Sequence, residues 1–197
     1  MRRYLRLAPK MWSSPTNRAA IDELGLRTGE RALDIGAGMG AATVLAARKG
    51  AQVVAVEPMP FLRSVLRVRR LAQRARKRIE VQDGAAEHLP VTDGSIDAAW
   101  AMNVMHHFTD VDAAIGELLR VLAPGGRVLL VDEDFDDPAH PCHDEVTARR
   151  HRDQRHFDEV DPATVGHKLS AAGFTVQEAA TARFDGRPAK VVRARKA

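Results

Sequence analysis

Three glycines follow an aspartate at the end of a short apolar run, in the string ALDIGAGMG at residues 32–40. Glycines at this density allow a ligand to approach the backbone closely. The stretch from Gly36 to Ala41 satisfies the pattern G-x-G-x-x-G/A, which places a dinucleotide pyrophosphate at the start of a helix. The same glycines also suit a nucleoside ligand without a pyrophosphate, so neighbouring residues have to decide between the two ligands.

Two carboxylates near this loop bear on that choice. Glu57 closes the second apolar strand, where an acidic residue accepts hydrogen bonds from a ribose diol, but both ligand classes contain a ribose. Asp34 directly precedes the glycines, and its negative charge there is unfavourable for a pyrophosphate and favourable for a cation. These residues favour S-adenosylmethionine, a nucleoside that carries a sulfonium and an ammonium and no phosphate.

Alternating strands and helices must position these residues. Short apolar strands are predicted at 31–35, 52–56, 79–82, 96–101 and 127–132, and helices at 41–49, 60–78 and 111–122, with an earlier helix starting at Ser14-Pro15. This alternation is typical of βαβ units in a parallel sheet. A helix over 162–172 precedes strands at 174–182 and 190–194, which the Asp185-Gly186 turn makes antiparallel. We therefore expect an α/β fold: a Rossmann-like three-layer sandwich with a mostly parallel seven-stranded sheet and a C-terminal antiparallel hairpin.

The chain is predicted to be a single domain in four parts. Residues 1–29 form an N-terminal helical segment, 30–132 a cofactor-binding core, 133–161 a substrate loop or lid, and 162–197 a C-terminal helix and hairpin. The lid is predicted because its charged, histidine-rich sequence directly follows the carboxyl end of a strand. Since residues 1–14 offer little cover, either this lid or the second subunit of a homodimer would close the pocket.

Composition excludes the membrane-spanning and disordered classes. Of the 197 residues, 45% are hydrophobic and 28% are charged, close to globular averages. No apolar run approaches the roughly 20 residues that cross a bilayer, and the basic N-terminus lacks the apolar core of a signal peptide. Cys142 is the single cysteine, which agrees with a reducing compartment. The sequence thus predicts a cytoplasmic protein without a membrane partner.

The net charge of +4 is mild, but basic residues crowd the predicted 60–78 helix. This cluster is either a solvated helix face or a contact for a phosphate-rich or acidic partner. Its members are Arg63, Arg67, Arg69, Arg70, Arg74, Arg76, Lys77 and Arg78.

Five ordered motifs resemble those of class I S-adenosylmethionine-dependent methyltransferases, in particular the type 11 subgroup that includes the ubiquinone/menaquinone-type enzymes. They are ALDIGAGMG, Val56-Glu57-Pro58, residues 82–90, residues 103–108 and LLRVLAPGGRVLLVD, and together they fall within residues 20–135. The resemblance implies an enzyme that binds S-adenosyl-L-methionine and transfers its methyl group.

The resemblance also implies which residues hold the cofactor. Glu57 would bind the ribose diol, Pro58 or Met59 would pack on the adenine, and Asp83 would accept a hydrogen bond from the adenine amino group. The alternative for Asp83-Gly84 is an ordinary turn. The implied cofactor-binding residues are Asp34, Gly36, Ala37, Gly38, Glu57, Pro58, Met59, Asp83, Gly84, Ala85 and, through its backbone, Asn103.

Two histidines are the candidates for catalysis. Methyl transfer needs mainly alignment and exclusion of water, but a hydroxyl or acidic C–H acceptor also benefits from a general base. His106 and His107 follow the fourth strand. The type 11 subgroup that this sequence resembles often has a histidine there, near the substrate pocket, and His107 matches the position at which that histidine occurs more regularly in the family. The alternative is that either histidine caps the next segment or packs under the cofactor.

The segment after the fifth strand has the composition of a metal site but not its spacing. Because the potential ligands match no zinc pattern and two prolines interrupt them, no metal site is predicted, and a substrate-facing loop is expected instead. The potential ligands are Asp134, Asp136, His140, Cys142 and His143. The arginines at 149, 150, 152 and 155 either attract an anionic acceptor or balance these acids.

A small-molecule acceptor is the main functional hypothesis, with three alternatives. Methylation of exocyclic base amines is disfavoured because residues 101–104 read AMNV rather than Asn/Asp-Pro-Pro-aromatic. Other RNA methylation stays open, although only 5% aromatic residues give few stacking platforms for nucleic acid. A nicotinamide-dependent oxidoreductase is disfavoured by Asp34 and by the absence of a Tyr-x-x-x-Lys pair. A non-catalytic, cofactor-binding regulatory protein is the third alternative.

Overall fold

The computed structural model describes residues 14–153 and 161–197. Its strands are β1 (Arg31–Ile35), β2 (Gln52–Val56), β3 (Ile79–Gln82), β4 (Ile96–Met102), β5 (Leu122–Glu133), β6 (Phe174–Phe184) and β7 (Arg187–Lys196). Its helices are α1 (Pro15–Glu23), α2 (Ala41–Arg48), α3 (Pro60–Leu71), α4 (Val111–Val121), α5 (His143–Asp153) and α6 (Pro162–Ala171). Short 3₁₀ turns span Arg76–Arg78 and Met105–His107. Residues 1–13 of the predicted N-terminal segment and 154–160 of the predicted lid, with Arg155, lie outside the described residues.

The seven strands form one sheet in the order β3-β2-β1-β4-β5-β7-β6. The first five run parallel, whereas β7 is antiparallel to both β5 and β6. The predicted fold is thus confirmed, including the antiparallel C-terminal hairpin. Because β1 lies between β2 and β4, the chain reverses direction across the sheet there. In open parallel sheets a crevice for ligands forms at the carboxyl ends of the strands beside such a reversal.

Two apolar clusters cover the two faces of the sheet and make three layers. On one face α1 and α2 pack Ile21 and Val44 near Trp100 of β4. On the other face α4 and α6 pack Leu118 and Leu169 against the sheet. The central strands are buried on both faces, which is why their sequences read as continuous apolar runs rather than as alternating patterns. Among the described residues, no helix is long and apolar enough to cross a bilayer.

The predicted 60–78 helix is wrong in its second half. Helix α3 ends at Leu71, and the chain then turns through the 3₁₀ turn Arg76–Arg78 into β3. The apolar periodicity of the helix continues to Ala75, and Ala75 is buried, but it lies in the turn that follows the helix. Two side chains hold that turn: Gln73 Nε2 donates to the Arg69 carbonyl (3.3 Å) and Arg70 Nη1 donates to the Ile79 carbonyl (3.0 Å).

The predicted break at Pro124-Gly125-Gly126 is a bulge inside a longer strand. Leu122 pairs with Ile96 and Arg127 pairs with Ala98, so residues 123–126 bulge out between two paired positions of β5. Gly125 has a φ of 73°, a conformation that glycine adopts without strain. After the bulge, residues 127–131 pair in register with β4, and β5 ends at Glu133 at the carboxyl edge of the sheet.

Candidate active site

Acidic side chains collect where the parallel strands end. Asp34 belongs to β1, Glu57 follows β2, Asp83 follows β3, and Asp132 lies near the end of β5. Since the carboxyl ends of parallel strands share one edge of the sheet, these residues lie at the edge where such sheets form a crevice for ligands. Asp34, Glu57 and Asp132 are buried, with exposed fractions of 3–4%, whereas the Asp83 side chain is 71% exposed.

The three glycines of the loop between β1 and α2 have different roles. All have left-handed backbones, with φ of 67° at Gly36, 55° at Gly38 and 77° at Gly40. A Cβ at Gly36 would lie 2.6 Å from a methyl group of Val104, and one at Gly40 would lie 2.1 Å from Leu66 Cδ1. A Cβ at Gly38 would meet no atom closer than 4.0 Å. Packing therefore demands glycine at two positions, and Gly38 faces open space that a ligand can fill.

Glu57 joins the glycine loop to the end of β2. Its Oε2 accepts the Gly38 N–H (2.7 Å) and its Oε1 accepts the Met59 N–H (2.8 Å). Burial raises the pKa of the Glu57 carboxyl, while these hydrogen bonds and the charge of Arg63 oppose the rise. The carboxylate is thus fixed against the one glycine that packing leaves open.

Asp34 lies beneath the loop and is bound by the hydroxyl of Thr43, which donates to its Oδ2 (2.6 Å). Burial raises the pKa of the Asp34 carboxyl to about 7, and the negative charge of Glu57 contributes to the rise while the Thr43 hydrogen bond opposes it. A cation near the loop would favour the ionised form. The electrostatics of Asp34 therefore suit a positively charged ligand.

Asp83 lies in a loop that an arginine of α3 holds in place. Arg63 donates through Nη1 to Asp83 Oδ1 (2.9 Å) and through Nη2 to Oδ2 (3.1 Å). At Gly84 an added Cβ would lie 2.8 Å from Pro90 Cδ, so the chain passes there too closely for a side chain.

Ala85 forms an isolated antiparallel bridge with His88. At the start of α3, Pro58 and Met59 are exposed beside this loop.

Asn103 connects the ends of β4 and β5. Its backbone is left-handed (φ 57°), its N–H donates to the Val131 carbonyl (2.8 Å), and its Oδ1 accepts the Glu133 N–H (2.7 Å). The side chain thus serves the sheet. Contact with a ligand would fall to the backbone, as the resemblance implies for this position.

His106 forms a hydrogen-bonded pair with Asp132. Of these two residues, the sequence indicates only His106 as a site residue. Its Nδ1 lies 2.7 Å from Asp132 Oδ2, and the same carboxylate accepts the backbone N–H groups of Val104, Met105 and His106. An acidic residue ending the strand beside β4 was the signal available in the sequence. The carboxylate makes Nδ1 the protonated nitrogen of a neutral His106 ring, so the lone pair is on Nε2.

His107 lies at the surface and packs against its neighbour, with ring centroids 4.1 Å apart at an angle of 50°. Partial burial lowers its pKa, the adjacent His106 lowers it further, and Asp132 opposes the change. His107 is therefore biased toward its neutral form. The two histidines come together at the crevice, but the carboxylate contacts His106.

The start of the predicted lid is tied to the domain by a buried network around Glu133. The carboxylate accepts hydrogen bonds from Thr16 Oγ1 (2.8 Å) and His140 Nε2 (2.9 Å), and Arg187 Nη1 lies 3.3 Å away. His140 Nδ1 accepts the Cys142 N–H (3.1 Å), so both ring nitrogens of His140 serve the fold. Among residues 14–153 and 161–197, no three His, Cys, Asp or Glu side chains are arranged to hold a metal ion.

Comparison with known proteins adds a family to this geometry. Residues 33–130, which include the glycine loop, Glu57, Asp83 and the two histidines, match the methyltransferase domain family. The domain formed by residues 33–130 belongs to this methyltransferase family. The part of the chain that carries the glycine loop, Glu57, Asp83 and the two histidines is thus a methyltransferase domain.

Curated relatives agree with this assignment. The methyltransferase domain is similar to an uncharacterised methyltransferase of Mycobacterium tuberculosis (40% identity over 112 residues, 57% of this chain and 43% of the relative). It is also similar to the demethylmenaquinone methyltransferase of Thermobifida fusca (34% identity over 134 residues, 67% and 54%). The chain spans about half the length of the curated relatives it matches.

A solved structure shows the same fold at low sequence identity. It is the geranyl diphosphate C-methyltransferase of Streptomyces coelicolor in complex with Mg²⁺, geranyl diphosphate and S-adenosyl-L-homocysteine. The TM-score is 0.73 at 16% identity, covering 93% of this chain and 80% of that one. At this identity the likeness concerns the fold, and it covers more of this chain than the family match does.

Proposed function

We propose that this chain is an S-adenosyl-L-methionine-dependent methyltransferase that acts on a small-molecule acceptor. The observation that carries the proposal is the Glu57 carboxylate, which is buried at the end of β2 and hydrogen-bonded to the N–H of Gly38, where the loop faces open space. This arrangement fits a ribose diol beside a closely approaching nucleoside. Membership of the methyltransferase domain family supports it.

The charges of the crevice favour this cofactor over a dinucleotide. Asp34 and Glu57 lie at the loop where a dinucleotide would place its pyrophosphate, and two like charges at short range in a low-dielectric site repel strongly. The sulfonium and ammonium of S-adenosylmethionine would instead be attracted. By the same fit Glu57 would hold the ribose, Asp83 the adenine amino group, and the backbone near Asn103 the amino acid end.

The bound cofactor would supply a methyl group on a sulfonium, which is already activated for displacement. What this chain adds is alignment, exclusion of water and a base. Asp132 holds Nδ1 of His106 protonated, so Nε2 would receive the proton of an acceptor hydroxyl or acidic C–H. The acceptor oxygen or carbon would bond to the methyl carbon as the methyl–sulfur bond breaks and the neutral thioether, S-adenosylhomocysteine, is left. The segment after β5, anchored through Glu133, is the proposed lid, and a second subunit is the alternative cover.

The small-molecule acceptor is the finer part of the proposal. Two of the similar proteins carry names that specify small organic acceptors, demethylmenaquinone and geranyl diphosphate. Four acidic side chains collect at this edge, three of them buried, and their negative charge also disfavours the phosphate backbone of RNA. RNA remains the competing acceptor, and labelled methyl transfer into total RNA or a metabolite extract distinguishes them.

Titration of the purified chain with nucleoside ligands tests the cofactor assignment. We expect S-adenosylmethionine and S-adenosylhomocysteine to bind with dissociation constants of about 1–100 μM, within the usual range for enzyme ligands. NADH and NADPH are expected not to bind, because their pyrophosphates would meet Asp34 and Glu57. Calorimetry measures all four ligands under one condition. Binding of NADPH without either adenosyl ligand would contradict the proposal.

The raised pKa of Asp34 makes cofactor affinity depend on pH. Below about pH 7 the buried carboxyl is mostly protonated, and a cationic ligand binds best to the ionised form. We therefore expect S-adenosylmethionine affinity to rise by about 30-fold from pH 5.5 to pH 8 and to level off above the pKa.

Asp34→Asn is the matched variant for this test, since an amide oxygen can still accept the Thr43 hydroxyl. Titrations at several pH values should give a nearly flat profile for this variant, with any residual slope coming from other groups such as the histidines. A variant whose pH profile parallels that of the wild type would assign the titration to another group and contradict the prediction.

A further inference from the structure

Arg63 is a buried arginine whose guanidinium bridges two loops of the candidate cofactor site. Its side chain is only 10% exposed. Nη1 donates to the carbonyls of Glu57 (2.7 Å) and Pro58 (3.0 Å), which leave β2, and the fork formed by Nη1 and Nη2 holds both oxygens of Asp83, which follows β3. One side chain of α3 thus fixes the proposed ribose and adenine loops to each other.

The geometry of the pair matters because Asp83 is both held and accessible. A bidentate arginine fork fixes the plane of a carboxylate, which a single cation cannot do. Each Asp83 oxygen has a second lone-pair direction, and the side chain remains 71% exposed. The carboxylate can therefore accept a further hydrogen bond while Arg63 keeps its orientation.

Burying the charged guanidinium of Arg63 costs free energy, and its hydrogen bonds to the surrounding acceptors have to offset that cost. Its Nε is buried and has no hydrogen-bond partner among the described residues. An unsatisfied buried N–H is unfavourable, which indicates that the guanidinium is held where Asp83 and the two carbonyls require it.

We propose that Arg63 is a positioning residue for base recognition: it orients Asp83 to accept the 6-amino group of adenine and sets the distance between that carboxylate and the ribose site at Glu57. The inference rests on the proposed function. It implies that Arg63, which does not itself touch the base, sets how strongly the site discriminates between 6-amino and 6-oxo purines.

Two ligands that differ only at the Watson–Crick edge of the purine, in the 6-substituent and in the proton on N1, test this role. S-adenosylhomocysteine offers an amino group to Asp83, whereas S-inosylhomocysteine presents an oxygen that a carboxylate repels. For the wild type we expect the adenosyl ligand to bind at least about 30-fold more tightly, the order of one hydrogen bond to a charged group. Calorimetry on the full chain gives both dissociation constants and hence their ratio.

Variants at Arg63 should change the ratio and not merely the affinity. In Arg63→Met the ratio is expected to fall to about 3-fold, through loss of adenosyl affinity, and Arg63→Lys should give an intermediate value because it keeps the charge without the fork. Asp83→Asn should erase or invert the preference, since its amide can donate to a 6-oxo group. Arg67→Met, at an exposed position one turn further along α3, is the control and should keep the wild-type ratio.

The outcomes separate this inference from the proposed function. If the wild type discriminates and both Arg63 variants retain the full ratio while binding the two ligands equally more weakly, Arg63 is only structural and the inference is overturned. If the wild type binds neither ligand, the proposed function fails and the inference with it. Should Arg63→Met fail to fold by circular dichroism, the ratio measured for Arg63→Lys decides.

Discussion

Replacing Glu57 by alanine should weaken S-adenosylhomocysteine binding by 100-fold or more. The buried carboxylate is the proposed acceptor for both ribose hydroxyls, and hydrogen bonds to a charged group contribute about 1.5–3 kcal/mol each. The substitution also removes the acceptor of the Gly38 and Met59 N–H groups, so the loop that the ligand approaches loses its fixed shape. Calorimetric titration of the variant measures the loss.

Two further variants separate the effect of the Glu57 charge on binding from the effect of a changed loop shape. Glu57→Gln keeps one acceptor oxygen for the backbone and lacks the charge, so we expect an intermediate loss of about 10-fold. Glu80→Ala removes an exposed carboxylate near the amino end of β3 and should bind like the wild type. Thermal melting checks that each variant is folded. An affinity for Glu57→Ala within threefold of the wild type would exclude Glu57 as the ribose acceptor.

Replacing His106 by alanine should lower the rate of methyl transfer by about 10²–10⁴, the usual contribution of a general base. The affinity for S-adenosylhomocysteine should stay within about threefold of the wild type, because the ring is assigned to the acceptor's proton and not to cofactor binding. The measurement is single-turnover transfer of labelled methyl into an acceptor taken from an active metabolite extract, together with titration of the same variant.

His107→Ala is the matched comparison, since the two rings are adjacent and both follow β4. The sequence favours His107, whereas the contact with Asp132 favours His106, and we expect the rate of methyl transfer in His107→Ala to fall by less than about tenfold.

Asp132→Asn should slow transfer by disturbing the tautomer of His106. It also alters the acceptor of three backbone N–H groups, so its melting temperature must be measured beside its rate. A large loss in His107→Ala with full activity in His106→Ala would restore His107 as the base.

Local sequence was enough to find the strands of the cofactor half. The strands β1, β2 and β3 begin and end at the predicted residues because short apolar runs bounded by glycine, proline or charged residues admit few alternatives. The sequence predicts helix α3 too long because an apolar period continues through a buried turn. It predicts a full break at Pro124-Gly125-Gly126 because a bulge and a turn use the same residue types.

The partnerships of the site could not be read in the same way. Arg63 and Asp83 are 20 residues apart, and His106 and Asp132 are 26 residues apart. Each pair joins residues on different elements, so its existence depends on strand order and on how far α3 and β5 extend. Propensity and periodicity locate the elements along the chain, but they carry no information on strand order or on which side chains of different elements meet.

The sequence by itself determined the parallel sheet, the glycine loop and the placing of Asp34, Glu57 and Asp83 at strand ends, because each depends on a few neighbouring residues and on the rule that parallel strands share an edge. Only the tertiary structure decided that Gly38 alone of the loop's three glycines faces open space, that Asp132 contacts His106, and that Arg63 holds Asp83. These depend on packing between distant segments, in which one side chain of α3 or one carboxylate of β5 selects its partner by distance and burial.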